Sequence, residues 1–170
     1  MQRRFCLTLL ATSAALTLPG CGFALRKAPN FAFKTLFSPL AETSPLGIEL
    51  KRSLEANGNV QVITDVRQID KADVILDVLQ DQREKVVVGL SASGQVREFQ
   101  LRLRFRFKLR SAKNGELIPA TEILQQRDIS FNESAVLPKE TEEALLYREM
   151  QSDIVQQIMR RLATVSSDKI

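Results

Sequence analysis

Few side chains in this sequence could carry out chemistry. The 170 residues contain no histidine, which excludes imidazole acid–base catalysis, Ser-His and Cys-His nucleophiles and histidine metal ligands. The sequence also has no glycine-rich nucleotide-binding fingerprint. Asp77 and Asp81 could in principle act as a general acid and base, but both are expected to lie opposite arginines, which favours structural ion pairing. The sequence therefore predicts a protein that is not an enzyme and that uses no cofactor and no metal.

Cys21 is the residue whose surroundings predict a covalent modification. Two arginines near the N-terminus precede an apolar segment, residues 5–18, and the tetrapeptide Leu18-Pro19-Gly20-Cys21 follows directly. This order is typical of a secretory signal and is too short to span a membrane. Its end resembles a bacterial lipobox, in which the cysteine thiol is diacylated and becomes the mature N-terminus; the alternative is an ordinary signal peptide with an incidental cysteine. The glycine after Cys21, where an inner-membrane retention signal would have aspartate, indicates lipid anchoring in the outer membrane of a Gram-negative cell.

These boundaries divide the chain into four parts. Residues 1–20 are predicted to be a lipoprotein signal peptide cleaved before Cys21, residues 21–30 a lipidated tether, residues 31–165 a single domain and residues 166–170 a flexible tail. Cleavage also removes Cys6, so the mature protein would hold one cysteine and no disulfide. The whole sequence has 24 basic and 20 acidic residues, and its local charge is therefore more informative than its net charge.

The strongest local charge lies on the segment from Phe99 to Arg110. Its odd positions are large hydrophobic residues, and its even positions from Arg102 onward are all basic. Since successive side chains of a strand point to opposite faces, this alternation predicts a long β-strand with one apolar and one cationic face. The wider region 97–113 holds seven basic residues and one acid, Glu98, so the cationic face needs partners or a ligand.

The cationic face admits three interpretations. It can be a solvated outer face with partial cross-strand pairing, which also protects a sheet from association. It can bind nucleic acid, but the predicted export from the cytoplasm argues against this. In addition, Phe99, Phe105 and Phe107 lie on the apolar face of the strand and so cannot stack on bases. It can bind an anionic envelope ligand, for which lipopolysaccharide phosphates are the abundant candidate and arginine forks are well suited. Charge alone favours the solvated face slightly.

The elements around this strand predict an α+β fold. We expect a two-layer sandwich in which a mixed, mostly antiparallel four-stranded sheet, with a long central hairpin, packs against two helices. One helix follows Thr43 or Ser44 as N-cap, and the other contains a buried stripe that includes Tyr147. The main strands are predicted at 31–37, 74–88, 99–110 and 122–131, a brief edge strand at 60–63, and the helices at 45–57 and 139–162.

The turn between the two hairpin strands predicts their register. If Ser93-Gly94 is a two-residue loop, the numbers of paired residues sum to about 187. The resulting pairs are Asp81 with Arg106 and Asp77 with Arg110 on one face, Val86 with Leu101 and Val88 with Phe99 on the other, and Lys85 with Arg102 and Arg83 with Arg104. This register would leave the positive charge near the hairpin tip without acidic partners.

Four short motifs in order carry a resemblance to a known family. They are Cys21-Gly22-Phe23 with Leu25-Arg26, Pro45-Leu46 through Leu50 and Leu54 to Asn57-Gly58-Val60, Gly94-Gln95 with Glu98-Phe99-Gln100, and Ala135-Val136-Leu137-Pro138-Lys139-Glu140. No single motif is specific, but their order and spacing over nearly all of the mature chain resemble the LptE family of lipopolysaccharide-assembly lipoproteins.

The resemblance implies a binding and scaffolding protein. LptE-like proteins plug the lumen of the outer-membrane β-barrel LptD in a 1:1 complex, help it to assemble and contact lipopolysaccharide during its insertion into the outer leaflet. The family's lipopolysaccharide-contacting lysine matches Lys139. The basic residue that some members carry at the hairpin tip falls at Ala92, and Arg97, Arg102 and Arg104 are the expected substitutes. The alternatives are a free-standing periplasm-facing lipoprotein that binds an anionic ligand or peptidoglycan, and a pilotin-like chaperone of another outer-membrane machine.

Overall fold

The computed structural model describes residues 29–170 except 59, 114 and 132–135. The predicted signal peptide, Cys21 and most of the predicted tether therefore lie outside the described residues. Within the described ranges, no helix combines the length and the apolar character needed to cross a lipid bilayer.

A mixed five-stranded sheet forms one layer of the fold, with strand order β2-β1-β3-β4-β5. β1 runs parallel to both β2 and β3, whereas β3, β4 and β5 are antiparallel. The predicted α+β class is confirmed. The predicted number of four strands is wrong, because both three-residue strands pair within the sheet. The elements are β1 (Thr35–Phe37), α1 (Pro45–Gly58), β2 (Gln61–Ile63), a 3-10 helix (Val66–Lys71), β3 (Val74–Leu90), β4 (Val96–Ser111), β5 (Glu116–Ser130), α2 (Val136–Leu162) and a 3-10 turn (Ser167–Lys169).

The two helices cover one face of the sheet, which we call the helical face. α1 begins where its sequence predicts, because the Ser44 hydroxyl accepts a hydrogen bond of 3.3 Å from the Gly47 N–H. The main core lies between the helices and the sheet, and its fully buried side chains include Leu36, Leu50, Leu54, Leu76, Phe105, Phe107, Ile154, Ile158 and Leu162. The sandwich is therefore held together by apolar burial on this face.

Asp73 joins β1 to the start of β3. Its carboxylate accepts hydrogen bonds from the N–H groups of Lys34 (2.9 Å) and Thr35 (3.0 Å), and its own N–H donates to the Thr35 hydroxyl (2.8 Å). Burial alone would raise the pKa of Asp73, but these backbone hydrogen bonds outweigh it, so the pKa lies below its ordinary value of 3.8. The carboxylate thus adds to the two residue pairs, Leu36 with Val74 and Phe37 with Ile75, that join β1 to β3.

The hairpin between β3 and β4 has a three-residue loop instead of the predicted two-residue loop. The Ser91 N–H donates to the Gln95 carbonyl at 2.8 Å, and Gly94 between them has a φ of 82°, a left-handed conformation that favours glycine. Such a loop ends in a left-handed residue and shifts the register by one position. Phe105 and Leu103 therefore lie opposite Asp81 and Arg83, and the predicted register is wrong.

Two bulges in β3 change the pairing further. The register shifts at Leu79 and at Val88, each of which lacks a paired residue on β4. The shift at Val88 is cancelled at Arg97, which is unpaired on β4, so the segment between the two bulges keeps the register set by the loop. In that register Val87 lies opposite Phe99, Lys85 opposite Leu101, Glu84 opposite Arg102 and Gln82 opposite Arg104. Arg102 consequently lies beside an acid and not beside the predicted Lys85.

The C-terminal residues pack against the domain. Residues 166–170, which the sequence predicts to be a flexible tail, include the 3-10 turn, and Ile170 contacts the main core together with Val165.

Tyr147, predicted as a core residue, is 6% exposed.

Candidate functional site

The face of the β3–β4–β5 sheet that points away from the helices carries the basic side chains at the even positions of β4. We call it the open face. Neighbouring side chains on it are joined by hydrogen bonds: Gln82 donates to Glu84 (2.6 Å), Arg102 to Gln100 (2.7 Å) and Gln100 to Asp128 (2.9 Å). Gln80 donates in turn to Gln82. The open face is therefore a polar network across three strands, and the predicted cationic face of β4 is its central row.

The two carboxylates considered as an acid–base pair lie on opposite faces. Asp77 forms the predicted ion pair with Arg110 on the open face (2.9 Å), but the residue directly opposite it is Lys108 (3.6 Å) and not Arg110, as the register had predicted. The register set by the three-residue loop places Asp81 opposite Phe105 on the helical face, so the predicted pairing with Arg106 is wrong. Burial raises the pKa of Asp81 above its ordinary value. Since the sheet separates them, the two groups cannot act on one substrate.

Arg102 and Arg104, two of the predicted ligand-binding residues, lie side by side on the open face. Arg104 forms an ion pair of 2.8 Å with Glu122, and the two side chains are 32% and 41% exposed. Arg102 donates to Gln100 and lies opposite Glu84. Pairs of this exposure contribute about 1 kcal/mol or less, so an anion could displace them at small cost.

Lys139 lies on the other side of the sheet, near the start of α2. Its ammonium donates to the Ser130 hydroxyl (3.1 Å) and forms an ion pair with Glu142 (2.7 Å). It lines a cleft of about 90 Å³ together with Lys85, Phe99, Ile129, Ser130, Phe131, Glu140 and Glu143. The structure therefore does not bring Lys139 together with Arg102 and Arg104, and the predicted residues form two separate sites.

Arg97 belongs to the end of the sheet where the cleft lies. Its carbonyl accepts a hydrogen bond of 2.8 Å from the N–H of Phe131, a residue that lines the cleft. Arg97 is exposed and has no paired residue on β3, because Gly89 lies opposite Glu98 and Leu90 opposite Val96. Its backbone position thus places one of the predicted cations beside the Lys139 cleft.

Lys85 is the cleft residue that the sequence did not indicate. Its ammonium lies 2.6 Å from Glu143 and 4.4 Å from the centre of the Phe99 ring, a distance at which a cation is attracted to the ring face. The predicted register had placed Lys85 beside Arg102. The alternation in β4 does not show whether the hairpin loop has two or three residues, and the length of the loop decides which residue lies opposite Lys85.

Acidic residues outnumber lysines at the cleft. Its two lysines face three acids, Glu140, Glu142 and Glu143, and two of these form the ion pairs described above. A bound anion would therefore have to displace the Glu142 carboxylate from the ammonium of Lys139. In the described ranges, no group of three side chains of the kind that ligate metals comes together.

These features define a class of small bacterial lipoproteins of known structure. The fold superposes on lipoprotein B from Nitrosomonas europaea with a TM-score of 0.70 and 33% identity, over 84% of this chain and 90% of that one. The rare lipoprotein B from Shewanella oneidensis shares the fold at a TM-score of 0.60 and 22% identity, over 76% and 94% of the two chains. A minor lipoprotein from Acinetobacter baumannii gives 0.59 and 25%, over 77% and 91%.

The sequence places the chain within one family of that class. The family model described as LptE, lipopolysaccharide-assembly, matches residues 33–162, and the chain belongs to this family. It is 28% identical to the LPS-assembly lipoprotein LptE of Yersinia pestis (strain Pestoides F), over 99% of this chain and 81% of the relative. The protein of the same name from Yersinia pseudotuberculosis (serotype O:1b, strain IP 31758) matches equally well. The family resemblance expected from the four motifs is confirmed.

Proposed function

We propose that this chain is an outer-membrane lipoprotein that plugs the LptD β-barrel, helps it to assemble and binds lipopolysaccharide on its way into the outer leaflet. Membership of the lipopolysaccharide-assembly family supports this function. In this proposal a lipid on Cys21 tethers the chain to the outer membrane. The protein makes and breaks no bond, and its contribution is to bind and to position.

The open face is the observation that supports a place inside a barrel. Strands of 15 to 17 residues carry it, and its polar side chains are hydrogen-bonded to one another. A sheet face of this kind needs neither a helix nor an apolar partner to cover it. It can therefore lie against the wet, polar inner wall of a large barrel, whose interior residues are polar too.

Lipopolysaccharide binding is assigned to the cations at the Lys139 cleft. Phosphate groups are bound by ammonium and guanidinium donors through charge-assisted hydrogen bonds, and Lys139, Lys85 and Arg97 lie at one end of the sheet. Arg102 and Arg104 supply a second, shallower anionic contact on the open face, directed to the ligand or to the barrel wall.

A pull-down from native envelopes tests the plug assignment. The full chain, tagged at its C-terminus, is extracted in mild detergent, and its partners are identified and quantified. One large outer-membrane barrel in equal amount is the expected result. Recovery of the chain alone would overturn the plug assignment in favour of a free-standing anion-binding lipoprotein, and a different machine would favour the pilotin-like role.

Variants that remove one charge test the ligand assignment. Lys139→Ala should weaken lipopolysaccharide binding about tenfold or more and reduce its salt dependence, since a charged hydrogen bond contributes about 1.5 to 3 kcal/mol. Glu142→Gln should strengthen binding, because it frees the Lys139 ammonium. Lys71→Ala, at an exposed lysine of the 3-10 helix, is the matched control. If Lys139→Ala and Lys71→Ala bind equally, Lys139 is not a ligand contact.

A further inference from the structure

The end of the β3–β4 hairpin exposes aliphatic side chains. Val87, Val88 and Leu90 are 45%, 47% and 62% exposed, and we call them the apolar tip. Val88 lies at a bulge between Val87 and Gly89, and Leu90 is the last residue of β3. The run of three valines makes apolar side chains unavoidable on both faces of the strand, so this end of the hairpin presents apolar surface to its surroundings.

The apolar tip is continuous with the Lys139 cleft. Val87 lies directly opposite Phe99, and the Phe99 ring lines the cleft beside Lys139. Phe99 also contacts Phe131 edge to face, with ring centres 5.3 Å apart. Aliphatic surface, aromatic rings and ammonium groups therefore follow one another without a break along this end of the sheet.

The size of the cleft limits what it can hold. Its volume of about 90 Å³ corresponds to roughly three water molecules at about 30 Å³ each. Such a space is large enough for a single anionic group but too small for the several acyl chains of an amphiphile. The remainder of any amphiphile bound there must lie outside the cleft, on the neighbouring surface.

We infer that the apolar tip receives acyl chains of the same amphiphile whose phosphate meets Lys139. This inference rests on the proposed function and specifies which part of lipopolysaccharide each surface takes. Cations beside exposed aliphatic side chains complement a molecule that joins phosphates to hydrocarbon. The hairpin would thereby keep the chains out of water while the phosphate is held at the cleft.

Two other exposed side chains provide matched controls. Leu79 and Leu124 are 47% and 43% exposed, close to the values at the apolar tip. Leu79 is separated from the tip by the length of the hairpin, and Leu124 lies opposite Arg104 on the open face. Neither position lies beside the Lys139 cleft.

Photo-crosslinking in living cells tests the inference on the full chain with its native partners. A benzophenone amino acid is incorporated at Leu90, at Leu124 or at Glu140, which lines the cleft. After irradiation, adducts are detected with an antibody to lipopolysaccharide, and alkaline hydrolysis then shows whether the remaining mass is that of a fatty acyl chain. We expect lipopolysaccharide adducts at Leu90 and Glu140, with an acyl chain attached at Leu90. Any adduct at Leu124, which lies opposite Arg104, should carry no acyl chain.

The outcomes separate the inference from the proposed function. A lipopolysaccharide adduct at Glu140 without one at Leu90 would overturn the acyl contact and leave the proposed binding intact. A barrel protein or a phospholipid crosslinked at Leu90 would also overturn it. No lipopolysaccharide adduct at either position would contradict the ligand assignment itself.

Affinities provide an independent measurement. The triple variant Val87→Thr, Val88→Thr and Leu90→Thr keeps residues that favour strands and should bind intact lipopolysaccharide about tenfold more weakly. That loss corresponds to about 55 Å² of apolar surface that is no longer removed from water. Binding of fully deacylated lipopolysaccharide should not change. Equal losses for both ligands, or none for the intact one, would refute an acyl contact at the tip.

Discussion

Replacing Tyr147 with phenylalanine should loosen the distal half of β3 while leaving the core packed. The Tyr147 ring is buried among Leu101, Ile129 and Met150, and phenylalanine would fill the same space. Its hydroxyl donates a hydrogen bond of 2.6 Å to the carbonyl of Glu84. β1 pairs with β3 only as far as Ile75, so beyond that point this hydroxyl ties a free edge of the sheet to α2.

The expected loss in the free energy of unfolding is about 1 kcal/mol, the net contribution of one partly buried hydrogen bond. This corresponds to a fall of about 3 °C in the melting temperature for a domain of this size. Arg83, whose guanidinium carbon lies 3.5 Å from the centre of the Tyr147 ring, would keep its stacking contact in Tyr147→Phe. Urea unfolding followed by circular dichroism measures the change.

Thr121→Val is the matched control, because Thr121 donates a hydrogen bond of 2.8 Å to the Pro119 carbonyl in an exposed part of β5. Water can replace that bond, so its loss should cost less than about 0.5 kcal/mol. Equal stability of Tyr147→Phe and the native protein would refute the argument that the hydroxyl anchors β3.

Three further predictions test other parts of the fold. Gly89→Ala should destabilise the hairpin by about 1 to 3 kcal/mol in urea unfolding, because a Cβ there would lie 2.9 Å from that of Glu98; an unchanged midpoint would contradict this close approach. Ile158→Ala, at a fully buried position, should cost about 2 to 5 kcal/mol, whereas Leu145→Ala, at a side chain that is 53% exposed, should cost about 0.5 kcal/mol or less. Asp73→Ala should lose about 1 to 2 kcal/mol at pH 7. Since the folded pKa of Asp73 is lowered, its stabilisation is complete above the unfolded pKa of about 3.9 and is lost as pH falls through the folded pKa. The difference between variant and native protein should therefore narrow in acid, and a constant difference would show that the carboxylate charge is irrelevant.

Periodicity predicted the elements that bury an apolar face. The alternation in β4 and the four-residue spacing of Leu46, Leu50 and Leu54 both correspond to buried surfaces in the structure, because burial depends on side-chain direction, which the pattern states directly. The short strand β2 was expected only as a brief edge. Three residues carry too little pattern to show that they pair with β1.

The register and the site depended on features that periodicity does not record. Gly94 suits a two-residue and a three-residue loop alike, and the choice between them decides whether Asp81 meets Arg106 or Phe105. Lys139 was indicated by family resemblance, but its neighbours Lys85 and Glu143 come from segments 58 residues apart. Such proximity follows from the packing of α2 on the sheet, which no local sequence pattern predicts.

The bulges at Leu79 and Val88 have a consequence for how this strand can change during evolution. On both sides of each bulge the flanking residues pair with consecutive residues of β4: Val78 and Gln80 with Phe107 and Arg106, and Val87 and Gly89 with Phe99 and Glu98. Loss of either bulged residue would leave every other side chain on its present face, whereas a deletion between them would reverse the faces of a whole segment. One-residue gaps between related sequences should therefore fall at these two positions, where a residue can be lost without changing the face on which any other side chain lies.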